Sequence, residues 1–393
     1  MPLSNTKTIR NLMLYLFTTL IIVLLNTFDT FAFLTTNFRY SILTTRSPQR
    51  QQTTIKMGKS LKELDWTSLR VLRESRSPSQ LCPDNPTSSN PRLAKDVPYA
   101  NAVLDSWRND VKSSEKLNDM DTMVARLSYT RQSDGSTFSG FIVVNENLID
   151  DLNNVENNAI PVIILYHTAA GPCDIFLMHK ADIIAKDEIW GANGCIVFIA
   201  DMISDETGWT WTDRDKYEEI KQDLFQRTKR NGEKNAKRWK LRETIESFLQ
   251  TIQSFDEVNS DKIGAMGWCL GGHSILEMGR MNVDGVKALV TFHGVFDGIN
   301  ENEVISTKTK SCGKGALICN GLCDPFISKE SFDFGIETLK ANFWEVEVLQ
   351  FENVKHGFTN PAQDLNPNDS FAFDREAATL SWKNAIELMK KYV

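Results

Sequence analysis

Short apolar runs alternate with longer amphipathic segments along the chain from residue 121 onward. Ile160–Tyr166 is a continuous apolar run, which is typical of a strand buried on both faces of a sheet. Further strands are predicted at 195–200, 286–292, 315–320 and 345–351, and helices near 174–190, 234–254, 329–342 and 374–391. This alternation predicts right-handed βαβ crossovers, and therefore a mainly parallel, doubly wound α/β sheet.

A β-hairpin is predicted before the first of these strands. Met123–Tyr129 and Thr137–Val144 lie on either side of Asp134-Gly135, a dipeptide that is typical of tight hairpin turns. Residues 63–120 contain clusters of Ser, Pro and Asn and show little periodicity. We therefore predict an irregular lead-in at 63–120 and a single α/β domain at 121–393.

Residues 1–32 have the organisation of a signal peptide. Lys7 and Arg10 precede the apolar run Leu12–Leu25, which is too short for a comfortable membrane span and suits a signal h-region. Cleavage after Ala32 would make Phe33 the new N-terminus. Residues 33–62 contain no Asp or Glu and are rich in Ser, Thr and basic residues, which is the composition of a transit peptide.

A signal peptide joined to a transit-like segment, with Phe33 at the junction, resembles the bipartite presequences of algae with secondary plastids. This interpretation predicts delivery to a plastid by the secretory route, with no stable membrane anchor after processing. A secreted protein with a basic linker and a membrane-anchored protein are the alternatives.

Composition excludes some classes of function. The net charge of −7 argues against a general affinity for nucleic acid. The seven cysteines are scattered without CxxC pairs, so we expect reduced thiols rather than a disulfide framework. The chain contains no Walker loop, HExxH or GxGxxG motif. The oligomeric state does not follow from the sequence.

The candidate chemistry is concentrated in Lys262–Met281. A short apolar strand leads there into Gly267-Trp268-Cys269-Leu270-Gly271 and then into an apolar-periodic helix, which is the context of a nucleophile elbow. We expect glycine at 267 and 271 because side chains beside the nucleophile would collide with the strand and the helix. The positive end of the helix dipole would favour a Cys269 thiolate. The alternative is that Cys269 simply fills core space.

A cysteine nucleophile needs a base, and on this type of sheet the acid and then the histidine follow the nucleophile. His356 follows the last predicted strand and is the preferred base, and His273 is a weaker candidate. His293 is expected to make a structural hydrogen bond. His167 and His179 precede the elbow, which is the wrong order.

Asp324 is the preferred acid, because it follows the strand at 315–320 and precedes a proline, a position suited to holding an imidazole tautomer. A plain Asp-Pro turn is the alternative interpretation, and Asp297 is the second candidate. The oxyanion should be held by the backbone N–H of Leu270 and by one N–H from the loop after 160–166, at Thr168 or Ala169.

Other features carry less weight. Residues 227–242 hold eight Lys or Arg, which we interpret as a solvated helix face rather than an anion-binding patch. Trp209 and Trp211 lie in a long loop that would either cover the site or pack in the core. A redox pair formed by Cys319 and Cys323 is a minor alternative interpretation.

From about residue 160 to 391, the chain resembles the dienelactone hydrolase family of α/β-hydrolases. The matching motifs are GWCLGG, LVTFHGVFDG, ICNGLCDPF and KHGFTNP, in the family's order. The resemblance implies a triad of Cys269, Asp324 and His356 with no metal or organic cofactor. It also implies hydrolysis of a small-molecule ester or lactone through an acyl-thioester intermediate.

One position departs from the family. Members that act on dienelactone usually carry a Glu in the loop after the first long strand, and Thr168 takes that place here. The reaction class is therefore better supported than any named substrate. A broader carboxylesterase or thioesterase, and a non-catalytic binding protein on the same fold, remain as rival hypotheses.

Overall fold

One sheet forms the centre of the fold. The computed structural model describes residues 59–74, 97–113, 121–152, 160–191, 194–204, 214–230, 236–296, 314–342 and 344–393. Within these ranges, the strands are β1 (Thr67–Ser68), β2 (Thr122–Thr130), β3 (Thr137–Asn145), β4 (Ile160–Tyr166), β5 (Ile196–Ala200), β6 (Val258–Trp268), β7 (Val286–Phe292), β8 (Gly315–Gly321) and β9 (Glu345–Phe351). They lie in the order β1-β2-β3-β5-β4-β6-β7-β8-β9.

Each neighbouring pair in the series β5-β4-β6-β7-β8-β9 is parallel. Strands β2 and β3 form an antiparallel hairpin, and β3 joins β5 antiparallel. Gly135 in the hairpin turn has a φ of +73°, a conformation that glycine adopts without strain. The predicted hairpin and the mainly parallel, doubly wound sheet are both confirmed.

Helices cover both faces of the sheet. They are α1 (Leu69–Glu74), α2 (Val97–Lys112), α3 (Glu146–Asp151), α4 (Ile175–Ala185), α5 (Arg214–Phe225), α6 (Trp239–Ile252), α7 (Gly271–Met281), α8 (Lys329–Ala341) and α9 (Arg375–Tyr392). Helices α2, α4 and α9 contribute to the apolar core on one face, and α6, α7 and α8 to the core on the other.

Strand β4 shows why its sequence is apolar throughout. Ile163 and Leu165 belong to one core, whereas Val162, Ile164 and Tyr166 belong to the other. Successive side chains on a strand point to opposite faces, so a strand covered by helices on both sides needs apolar residues at every position.

The segment 63–120 differs from the expected irregular lead-in, because its described parts contain α1 and α2. Helix α2 presents Ala100, Val103, Leu104, Trp107 and Val111 to the core, at the spacing of one helix face. Nearby Ser, Pro and Asn clusters obscured this periodicity. Helix α5 was also not predicted.

The predicted signal peptide and residues 33–58 of the predicted transit segment lie outside the described residues. Residues 59–62 are described, and Leu61 is buried in the core. Among the residues that are described, none of the helices is both long enough and apolar enough to cross a membrane.

Candidate active site

The turn between β6 and α7 holds Cys269 in a strained conformation. Cys269 has a φ of +51°, which non-glycine residues rarely adopt and which is found at functional sites. Its N–H donates to the Phe292 carbonyl at 3.2 Å, and its carbonyl accepts from the N–H groups of Gly272 and Val295, both at 3.0 Å. The thiol is partly exposed. The turn therefore presents a reachable sulfur from an otherwise buried element.

The two glycines beside the cysteine are sterically required. A Cβ at Gly267 would lie 2.5 Å from the Gly271 carbonyl oxygen, and a Cβ at Gly271 would lie 2.5 Å from the Tyr166 carbonyl oxygen. These neighbours are backbone atoms that cannot rotate away. The predicted need for glycine at both positions is confirmed.

His356 and Asp324 lie together beside this turn. His356 Nδ1 is 2.7 Å from Asp324 Oδ2, and Asp324 Oδ1 accepts the Phe326 N–H at 2.9 Å. Both side chains are buried. The charge of Cys269 raises the pKa of the His356 imidazole, so the two side chains interact. The fold thus brings His356 together with both Asp324 and Cys269, the residues that the sequence singled out.

The charge on His356 depends on its two partners. Burial by itself would lower the pKa of the imidazole, because it disfavours the charged ring. The negative charges of a Cys269 thiolate and of Asp324, with their hydrogen bonds, outweigh burial and raise the pKa of His356 to about 10. At neutral pH, this raised pKa favours the imidazolium form of His356.

Three of the other histidines are engaged elsewhere. His167 Nε2 accepts the Met202 N–H at 2.9 Å while Nδ1 lies 2.6 Å from the Thr168 carbonyl, so the ring is neutral and both nitrogens are used. His273 Nδ1 accepts from the Arg238 guanidinium at 2.9 Å. His179 Nε2 lies 3.0 Å from Asp110 Oδ2, on the helix α2 side of the sheet. These contacts leave His356 as the histidine that meets Cys269.

His293 lies directly against His356. The ring centroids are 4.7 Å apart and nearly perpendicular, and His293 Nε2 is 3.2 Å from Thr359 Oγ1. Burial and the charge of His356 hold the pKa of His293 well below its usual value. The expected structural hydrogen bond is present, but sequence patterns did not indicate that the ring packs on the imidazole of His356.

Backbone amides near Cys269 are available. Within the described residues, the N–H groups of Leu270, Thr168 and Ala169 donate no hydrogen bond. The Thr168 side chain and carbonyl instead accept from the N–H groups of Ala170 and Gly171, which shape the loop after β4. An amide without a partner is what a developing oxyanion requires.

Two aromatic rings complete the surroundings of His356, and sequence analysis missed both. The Phe326 and Phe371 rings lie 4.9 and 5.2 Å from the imidazole. The His356 N–H also donates a hydrogen bond to the Ser370 carbonyl, and the His356 carbonyl accepts one from the Ala372 N–H. Phe326 could have been suspected from its place just after Asp324-Pro325, whereas Phe371 has no local signal.

Several expectations fall elsewhere. Asp297, Trp209 and Trp211 lie outside the described residues. Cys319 is buried and Cys323 is exposed, and both are free thiols. The expected solvated face at 227–242 is wrong in part, because Arg238 is only 2% exposed and pairs with His273.

The described residues contain no group of three His, Cys, Asp or Glu side chains positioned to hold a metal ion. His356 instead forms a hydrogen bond with Asp324, and the charge of Cys269 acts on the same imidazole. Side chains of these types can carry out proton transfer and nucleophilic attack at a carbonyl carbon.

Comparisons with known proteins identify the family of the chain. The model of the dienelactone hydrolase family matches residues 152–393. An uncharacterized protein of Caenorhabditis elegans, K02A2.1, is 27% identical over 152 residues, which are 39% of this chain and 94% of the relative.

Two solved structures share the fold at low identity. The protein named m3DLH has a TM-score of 0.55 at 21% identity, over 69% of this chain and 98% of that chain. A dienelactone hydrolase-like promiscuous phosphotriesterase, P91, from metagenomic libraries has a TM-score of 0.54 at 20% identity with the same coverage.

Proposed function

Because the chain belongs to the dienelactone hydrolase family, we propose that it hydrolyses a small-molecule carboxylic ester or lactone with Cys269 as the nucleophile. The observation that carries the proposal is the interaction among three residues that are distant in sequence. His356 Nδ1 lies 2.7 Å from Asp324 Oδ2, and the charge of Cys269 raises the pKa of the His356 imidazole. Fold alone would not support a reaction, since one fold hosts many functions.

In the proposed first half-reaction, the Cys269 thiolate attacks the carbonyl carbon and a tetrahedral oxyanion forms. The Leu270 N–H, with the N–H of Thr168 or Ala169, is available to stabilise that oxygen. As the intermediate collapses, the carbon–oxygen bond to the leaving group breaks. The leaving alkoxide takes the proton of the His356 imidazolium, and an acyl-thioester remains on Cys269.

The second half-reaction uses the now neutral His356 as a base. The imidazole removes a proton from water as the water oxygen attacks the thioester carbonyl. Collapse of the second tetrahedral intermediate releases the acid and restores the thiolate–imidazolium pair. Asp324 holds Nδ1 throughout, so that Nε2 keeps facing the sulfur.

The substrate class stays broad in this proposal. Thr168 stands where family members that act on dienelactone usually have a glutamate, and its hydroxyl accepts the Ala170 N–H at 3.0 Å. We therefore propose ester or lactone hydrolysis without a named substrate. Parallel assays with an aryl ester, a lactone and an acyl thioester would separate this activity from a broader carboxylesterase or thioesterase.

The direct test is hydrolysis of an activated aryl ester by the full chain and by Cys269→Ala and His356→Ala. We expect each variant to lose turnover by about a thousandfold or more while remaining folded. Cys323→Ser, which changes an exposed thiol, is the matched control and should keep full activity. A slow ester should leave an acyl group on Cys269 that mass spectrometry detects.

Equal turnover by the parent protein and both variants would refute the assignment of the nucleophile and base. A folded parent protein that neither turns over any of these substrates nor acquires an acyl group would favour the non-catalytic binding protein.

For localisation, we propose delivery to a plastid through the secretory route, supported by the composition of residues 1–62. A fusion of residues 1–62 to a fluorescent protein, expressed in an alga with a secondary plastid, should accumulate in that plastid. Secretion of the fusion would support the alternative and contradict the proposal.

A further inference from the structure

Helix α2 lies outside the part of the chain that matches the family, which begins at residue 152. Its apolar face packs in the same core as α4 and α9. Near its N-terminal end, α2 carries Tyr99, a buried residue whose hydroxyl group points away from solvent. The contacts of that hydroxyl connect two loops on which the proposed chemistry depends.

A buried hydrogen-bond chain passes through the Tyr99 hydroxyl. The oxygen lies 2.9 and 3.0 Å from the two carboxylate oxygens of Asp174, to which it donates. The same oxygen accepts from Asn360 Nδ2 at 2.8 Å. Asp174 and Asn360 are each 3% exposed, so bulk water does not reach these contacts.

Each end of this chain anchors one loop. Asp174 closes the loop that runs from the end of β4 through Thr168 and Ala169, and it caps α4 by accepting the Phe176 N–H at 3.1 Å. Asn360 closes the loop that carries His356, and its Oδ1 accepts the Ala362 N–H at 3.0 Å. Tyr99 therefore bridges the candidate oxyanion loop and the histidine loop.

We infer that helix α2 contributes to the proposed catalytic site through Tyr99. Tyr99 is a positioning residue whose hydrogen bonds clamp the loop after β4 to the loop carrying His356. The catalytic part of this inference rests on the proposed hydrolase function. The clamp itself does not. Rates of acyl transfer depend on the distance between oxyanion donors and the attacking group, and errors of about 1 Å cost about a hundredfold in rate.

Removal of the hydroxyl should act mainly through the oxyanion loop. Without it, the Asp174 carboxylate and the Asn360 amide lose a shared partner inside the protein. His356 keeps its hydrogen bond with Asp324 and its backbone hydrogen bonds with Ser370 and Ala372. The loop after β4 is joined to the histidine loop through the Tyr99 hydroxyl, so its position should change more.

The test compares the full chain with Tyr99→Phe, which deletes one oxygen atom. Hydrogen–deuterium exchange should become about fivefold faster or more in both 167–174 and 356–360, because the loops open locally more often. For an activated aryl ester, we expect kcat to fall about tenfold with KM little changed, since oxyanion contacts act in the transition state. Alkylation of Cys269 by iodoacetamide involves no tetrahedral oxyanion and should keep its rate and pH profile.

Two further variants separate positioning from general loosening of the helix. Trp107→Phe removes another buried hydrogen bond of α2, from the indole N–H to Asp182 at 2.6 Å, and should lower stability without the tenfold loss in kcat. Asn360→Ser keeps an oxygen for the cap but removes the contact with Tyr99. It should speed exchange at 356–360 and, because the two loops are no longer joined, to a smaller extent in 167–174. Unchanged exchange in both segments would overturn the inference, so this variant also serves if Tyr99→Phe fails to fold.

Unchanged exchange in either loop of Tyr99→Phe, or equal losses of kcat in Tyr99→Phe and Trp107→Phe, would overturn the inference. A parent protein without esterase activity would refute the proposed function alone, because exchange would still decide whether Tyr99 clamps the two loops.

Discussion

At the residue scale, the His356 imidazole is fixed by a hydrogen bond and by ring packing. Its Nδ1 lies 2.7 Å from Asp324 Oδ2, and the charge of Cys269 raises its pKa. The phenyl rings of Phe326 and Phe371 restrict the imidazole from the sides. These neighbours therefore set the orientation of the ring.

We predict that His356 stays protonated well above neutral pH. The negative charges of Cys269 and Asp324 raise its pKa to about 10, against the effect of burial. In an NMR titration, the His356 ring should therefore change from imidazolium to imidazole near pH 10. In Cys269→Ala, the midpoint should fall, because one of the charges that raises the pKa is absent.

Cys323→Ser is the control for this titration and should leave the midpoint of His356 unchanged. A His356 midpoint near that of an exposed histidine in the parent protein would contradict the prediction.

At the scale of elements, the elbow between β6 and α7 has little tolerance for added atoms. A Cβ at Gly271 would lie 2.5 Å from the Tyr166 carbonyl oxygen. Strand β4 is central in the sheet, and its end cannot withdraw without breaking its pairing with β6. The helix and the strand therefore approach each other closely only because no side chain stands between them.

We predict that Gly271→Ala lowers the free energy of unfolding by about 3 kcal/mol or more, because overpacking forces the backbone to shift. The matched control is Gly335→Ala in α8. There the added Cβ would meet Phe296 at 3.4 Å, an ordinary contact, and alanine should stabilise the helix by about 0.5 to 1 kcal/mol.

Urea denaturation of both variants provides the measurement. Equal effects of the two substitutions would show that helix propensity, rather than the close approach at the elbow, controls the stability of Gly271→Ala.

At the scale of the whole molecule, the N-terminal helices and the family-matched region share buried polar contacts. Asp182 of α4 accepts from the Trp107 indole at 2.6 Å and from the Thr122 hydroxyl at 2.7 Å. Its carboxylate also lies 2.8 Å from Lys186 Nζ and 3.8 Å from Arg73 Nη1. This buried charge joins α1, α2, β2 and α4, so α2 belongs to the core of the fold.

We predict that the protein loses stability as the pH falls below about 6.5. Burial lowers the pKa of His179 and lowers that of His293 further, so both rings stay neutral in the native protein where the unfolded chain binds protons. Each such histidine reduces the free energy of unfolding by up to about 1.4 kcal/mol per pH unit in this range. His356 opposes the trend between pH 7 and about 5.5, because its raised pKa keeps it protonated in the native protein while the unfolded chain is still gaining its proton.

Denaturation at pH 7 and pH 5.5 measures this slope. His293→Asn should reduce it, since asparagine binds no proton and tolerates the positive φ of +41° at this position. A slope that is unchanged in His293→Asn would show that other groups control the acid sensitivity.

Much of the site could be predicted from the sequence because its requirements are local or follow chain order. Gly267 and Gly271 are recognisable because sterics of a tight turn act over a few residues. The order of Cys269, Asp324 and His356 reflects the order in which parallel strands deliver their loops to one edge of the sheet. The apolar run of β4 predicted a doubly covered strand because side chains alternate between faces.

Other features were decided by tertiary structure alone. The hydrogen bond between Tyr99 and Asn360 joins residues 261 positions apart in the sequence. The one between Tyr99 and Asp174 joins residues 75 positions apart. No local pattern specifies such partners, because they depend on how helices and loops pack once the sheet has formed. The sequence by itself therefore determined the elbow, the sheet and the order of the reacting groups. Packing decided the neighbours of His356 and the place of helix α2 against both loops.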